Sequence, residues 1–149
     1  MKVYIASDHR GFNLKTLLVE FMKTQSYEVE DLGNDRYDHE DDYPDFAAKV
    51  AEKVSAEPGS RGIVICGSGA GVDIVANKFD GVRSVLAISP EQAKMTKTDD
   101  DTNVLAIAAD FMSAETAREV AEKWLNAEYS GEPRHQRRLD KVIKIEGEQ

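Results

Sequence analysis

Five short runs of β-forming residues, each followed by a stretch with helical spacing of its apolar residues, constrain this chain more than any other feature. The strand candidates are KVYIAS (2–7), YEVEDLG (27–33), GIVIC (62–66), VRSVLAIS (82–89) and NVLAIAA (103–109). Helices are predicted over 12–21, from Pro44 through Val54, over 72–79, from Ser89 onward, over 113–129 and from Arg134 onward. Parallel neighbours need a long crossover, which is usually a helix, so strict alternation argues for a parallel sheet. GIVIC is apolar throughout, as a strand covered on both faces must be. The expected fold is α/β: a three-layer α/β/α sandwich with a five-stranded parallel sheet, Rossmann-like in plan. A length of 149 residues fits one domain spanning 1–149.

Such sheets bind ligands beyond the C-terminal ends of their strands. Two of those ends are rich in polar groups: Asp8–His9 after the first strand and Cys66–Gly67–Ser68 after the third. Composition removes several other readings. A formal charge of −9 argues against non-specific nucleic-acid binding. No apolar run has membrane-spanning length, and the start MKVYIASDHRG lacks a leader's hydrophobic stretch, so a cytoplasmic protein is expected. One cysteine excludes an internal disulfide and a two-cysteine metal knuckle.

The stretch CGSGAG places Gly67, Ser68, Gly69, Ala70 and Gly71 between a strand and a helix. Glycines there let backbone N–H groups converge on an anion: a phosphate, a carboxylate or an enediolate oxygen. The spacing is neither a Walker loop nor a complete dinucleotide fingerprint. Cys66 has two readings. It is a small buried residue packed before a tight turn, or a thiolate favoured by the helix N-terminus. Asp8 and His9 likewise divide between a helix cap with a solvated neighbour and an acid–base or phosphate-binding pair. Arg134 and Arg138 stand at i and i+4, two guanidinium forks on one helix face, suited to a phosphate or simply to solvent. The aspartates of TKTDDDTN (96–103) read as a solvated helix end and strand entry. A metal at His39 in the acidic loop matches no ligand spacing.

ASDHRGFNLK, DLG, DDYPDFA, GIVICGSGAGVDIVANKFDGVRS, DTNVLAIAA and EYSGEPRHQRR, in register over nearly the whole chain, resemble the type B ribose-5-phosphate isomerases. Relatives in that family isomerise galactose and allose 6-phosphates. The resemblance implies aldose–ketose isomerisation of a sugar phosphate without a cofactor. It also implies a homodimer or homotetramer whose active sites draw on two subunits, with the helix over 134–146 reaching the neighbour. It puts the catalytic base on Cys66 and the enediolate contacts on Ser68 and the loop Gly67 to Gly71. Substrate contacts fall on Asp8, His9, Tyr43, Asp100, Arg134, His135 and Arg138. Three charges depart from the family pattern: Asp99 and Asp100 stand where a ring-opening histidine and an asparagine are usual, and Asp110 where a phosphate-binding arginine is usual. These motivate rival readings, namely the same fold acting on a hexose 6-phosphate or another sugar, or a non-catalytic sugar-phosphate-binding paralogue. A flavodoxin-like nucleotide binder is a more distant rival.

Overall fold

The computed structural model describes residues 1–148. Its strands are β1 (Lys2–Ser7), β2 (Glu28–Asp31), β3 (Arg61–Cys66), β4 (Ser84–Leu86) and β5 (Val104–Ala108). The helices are α1 (Phe12–Thr24), α2 (Tyr43–Ala56), α3 (Ala70–Ala76), α4 (Pro90–Asp100), α5 (Ala114–Leu125) and α6 (Pro133–Gly147), with a 3₁₀ turn at His9–Gly11. All strand pairs are parallel, in the order β2-β1-β3-β5-β4, as the alternation predicts. Among the described residues no helix is long and apolar enough to cross a membrane.

Side chains alternate across the sheet and divide the core in two. Val3, Ile5, Ile63, Ile65, Leu105 and Ile107 pack under α1 and α5, around the fully buried Trp124. Tyr4, Ala6, Val64, Cys66, Val104 and Ala106 pack under α2 and α3. Every residue of β3 is buried. Gly62 is where α2 comes closest, since a Cβ there would lie 2.5 Å from a Val50 methyl. The edge strands are shorter than their sequence runs, β2 covering 28–31 and β4 only 84–86. Each is paired on one side only, so its outer residues lose the second ladder that extends a central strand.

The crossover from β1 leads outward to β2, whereas that from β3 leads the other way to β4. The sheet therefore reverses direction between β1 and β3, which opens a crevice at their C-terminal ends. Asp8 caps the 3₁₀ turn beside it, its Oδ1 accepting the Arg10 and Gly11 amides at 3.0 and 3.1 Å. The sequence reading of Asp8 as a cap is thus borne out.

Buried charge ties the other end of the sheet together. Arg61 opens β3 and donates to the carbonyls of Trp124, Leu125 and Ala127 at 2.6 to 2.9 Å. Those carbonyls lie at and just beyond the end of α5, where helical partners run out. This anchor explains why α5 stops at Leu125 rather than continuing to Tyr129. The aspartate run ends α4 as expected, but Asp101 is not merely solvated. It adopts φ 49° and accepts from Lys97 and Arg83, which links α4 to the entry of β4. Arg61→Met is expected to destabilise the fold by about 2–4 kcal/mol, because three carbonyls at the end of α5 lose the guanidinium. Urea denaturation at neutral pH would measure it.

Candidate active site

The crevice is built from the two strand ends and one helix start. Ser7 pairs with Ile65, and the Asp8 amide donates to the Ile65 carbonyl at 3.3 Å, so Asp8 and His9 emerge beside Cys66. Cys66 is 4% exposed, with its side chain on the α2–α3 side of the sheet. Its Sγ accepts the Gly69 amide at 3.2 Å. Gly69 has φ 72°, a left-handed conformation that a side chain strains, and it turns the chain directly into α3. The helix thus begins at Ala70, two residues earlier than its apolar pattern indicates. Ser68 and Ala70 are exposed at the mouth, with the Ala70 amide 3.4 Å from Ser68 Oγ. Tyr43, the first residue of α2, lays its ring over the loop: a Cβ on Gly71 would lie 2.6 Å from it.

Two side chains at this site, Arg10 and Asp41, were not singled out as site residues from sequence. Arg10 reaches across Gly67 and pairs with Asp110, and a Cβ on Gly67 would lie 2.6 Å from both groups. The charge reversal at Asp110 is therefore neutralised by a cation from the first strand's loop. Asp41 comes from the acidic loop and turns inward, its Oδ1 accepting from the His9 amide at 2.9 Å and lying 2.7 Å from His9 Nδ1. No local pattern marks it, because its partner is 32 residues away. His39, by contrast, is exposed and meets only Glu40.

Both ionisable groups of the Asp8–His9 pair are shifted upward. Burial raises the Asp8 pKa above its ordinary value, and the amides of Gly11 and Arg10 hold it back. The His9 pKa is raised as well, chiefly by its hydrogen bond to Asp41, with a smaller contribution from the charge of Asp8. Asp8, His9 and Asp41 offer ligand atoms within 4.8 Å of one another, the one such group among the described residues. Their atoms are engaged internally, by two backbone amides at Asp8 and by each other at His9 and Asp41.

The remaining sequence candidates lie elsewhere. α4 runs back along the sheet, so Asp99 and Asp100 sit next to the start of β5. From Val104 beside Gly62 to Ala108 beside Cys66 is about 13 Å of strand. His135, buried on α6, lies near Asp99 at 3.7 Å and bonds Ser130 Oγ at 2.9 Å. Arg138 lines a groove with Asp100, Arg83 and Val85, and Arg134 pairs with Glu132. One chain therefore gathers Cys66, Ser68, Gly67, Gly69, Ala70, Gly71, Asp8, His9 and Tyr43 at one end. It holds Asp99, Asp100, Arg134, His135 and Arg138 at the other.

Comparison with known proteins identifies relatives of the whole chain. A family model described as ribose/galactose isomerase matches residues 3–142. Ribose-5-phosphate isomerase B of Escherichia coli is 38% identical, over 97% of this chain and 96% of its own. That of Mycobacterium tuberculosis is 36% identical, over 98% and 90%. The crystal structure of ribose-5-phosphate isomerase B from Mycoplasma genitalium with bound ribulose-5-phosphate superposes with a TM-score of 0.96 at 41% identity, covering 99% of this chain and 97% of that one. A family model matched over residues 3–142, together with relatives 36% and 38% identical over nearly the whole chain, places this chain in the ribose/galactose isomerase family.

Proposed function

We propose that this protein is an aldose–ketose isomerase that interconverts ribose 5-phosphate and ribulose 5-phosphate in the cytoplasm, with Cys66 as the base. The observation that carries the reading is the buried Cys66 thiol at the end of β3, bonded to the Gly69 amide and flanked by the loop donors. In the aldose-to-ketose direction Cys66, as thiolate, takes the proton from carbon 2. The electron pair of that bond forms the carbon 1–carbon 2 double bond, and the aldehyde oxygen gathers negative charge. Backbone N–H groups of the Gly67–Gly71 loop and Ser68 Oγ–H are the donors for that oxygen. Cys66 returns the proton to carbon 1 while the proton of the carbon 2 hydroxyl passes to the carbon 1 oxygen, so that carbon 2 becomes the carbonyl and the ketose results. Asp8, His9 and Tyr43 contact the sugar phosphate from the same end.

The second cluster completes a neighbour's site. Arg134 and Arg138 are exposed on α6, and with His135, Asp99 and Asp100 they are too far from their own Cys66 to meet the same small molecule. Val142, Ile143 and Ile145 on α6 are about half exposed, an apolar face that suits burial against a second copy. A homodimer or homotetramer with shared sites accounts for both features, the arginines then holding phosphate across the interface.

One observation favours a second reading. Asp99 and Asp100 bring carboxylates where the family places neutral or cationic groups, which fits a six-carbon sugar 6-phosphate as preferred substrate. An assay of pentose 5-phosphates against hexose 6-phosphates separates the two readings. Turnover of ribose 5-phosphate at ordinary efficiency removes the second.

Cys66→Ala is expected to lower isomerisation by about a hundred- to ten-thousand-fold. It should also abolish exchange of the substrate's carbon-bound hydrogen with solvent deuterium, followed by NMR. Wild-type-like exchange in this variant would rule out Cys66 as the base. Mixing Cys66→Ala with Arg138→Ala subunits under conditions that allow exchange should restore about a quarter of wild-type activity, since half the sites of each mixed dimer are intact. No recovery on mixing, with exchange verified by mass spectrometry, would refute shared sites.

A further inference from the structure

We infer that Asp41 is a positioning residue of this site, clamping His9 through two hydrogen bonds so that Nε2 is left as the ring's free donor toward an anionic substrate. The inference rests on the sugar-phosphate reading above and deepens it.

The clamp is specific. One carboxylate oxygen, Asp41 Oδ1, takes both the His9 amide at 2.9 Å and His9 Nδ1 at 2.7 Å. The other oxygen meets Asn34 Nδ2 at 3.4 Å. The Asp41 side chain is 6% exposed although it belongs to an acidic loop, so its burial is a local choice and not a property of the segment. A carboxylate acceptor requires the proton on Nδ1, which fixes the ring's orientation and its hydrogen-bonding pattern. His9 Nε2 has no partner within the described chain. The ring of Tyr37 stands edge-on to His9 at 6.2 Å and limits its swing.

Charge around His9 favours the imidazolium. Asp8 precedes it and Asp41 faces it from the loop, both supporting the cation, while Arg10 opposes it. Arg10 is itself paired with Asp110. With an anionic substrate the sign follows directly. His9 contributes while protonated, and the contribution is lost as pH rises through its raised pKa. Removing the Asp41 charge lowers that pKa, so the loss begins at a lower pH.

Asp41→Asn tests this, since it keeps the shape and an acceptor oxygen while removing the charge. Two readouts are taken: the His9 ring-proton titration by NMR, assigned with His9→Gln among the three histidines, and KM for ribose 5-phosphate against pH. The expected result is a His9 midpoint lower by about one pH unit. The alkaline rise in KM should move down with it, and kcat on the plateau should stay within about twofold. Asp41→Ala should raise KM at every pH, because orientation is lost too. An unmoved His9 midpoint in Asp41→Asn overturns the inference. So does a shifted midpoint with an unchanged KM profile, or a variant whose only change is a lower melting temperature. Failure of the isomerase reading looks different: wild type would turn over no sugar phosphate, and the His9 titration would still decide the clamp.

Discussion

The pairing of β1 with β3 is the constraint on which the site depends. These strands lie side by side in space although 53 residues separate the end of β1 from the start of β3. Their ladder ends with Ser7 beside Ile65, which delivers Asp8, His9 and Arg10 to the rim of a loop that starts at Cys66. Because the crossovers leave in opposite directions, no helix covers that rim. Burial of β3 on both faces then fixes the register, since a slip of one residue would exchange the two core faces and turn Cys66 away from α3.

Much of this was legible in the sequence because it is local. Alternation of strand and helix set the layer plan, and an unbroken apolar run marked β3 as central. The glycines after Cys66 declared a turn into a helix. The strand-end rule then selected Asp8, His9 and Cys66 together. What escaped was long-range or edge-dependent. The sequence carries no sign that Asp41 would leave an acidic loop to meet His9, or that Arg10 would meet Asp110 one hundred positions away. β2 and β4 came out short because an apolar run does not reveal which strands have a neighbour on one side only. The early stop of α5 came from Arg61, a residue on another element entirely.

The distribution of candidates over two ends of the sheet has a simple cause. In a parallel sheet each returning helix carries its last residues to the strand entries, so the end of α4 cannot lie where β3 exits. A motif list drawn from one chain therefore mixes residues that a single subunit keeps apart.

The Arg10–Asp110 pair lies across Gly67, with both groups close to where a side chain at that glycine would project. Read one position at a time, Asp110 is a charge reversal and Arg10 an unrelated surface residue. Read as a pair, they are a single electroneutral unit drawn from opposite halves of the chain. An engineer who restored an arginine at position 110 alone would leave two guanidinium groups facing each other over the loop with no counter-ion. The two positions have to be exchanged as one.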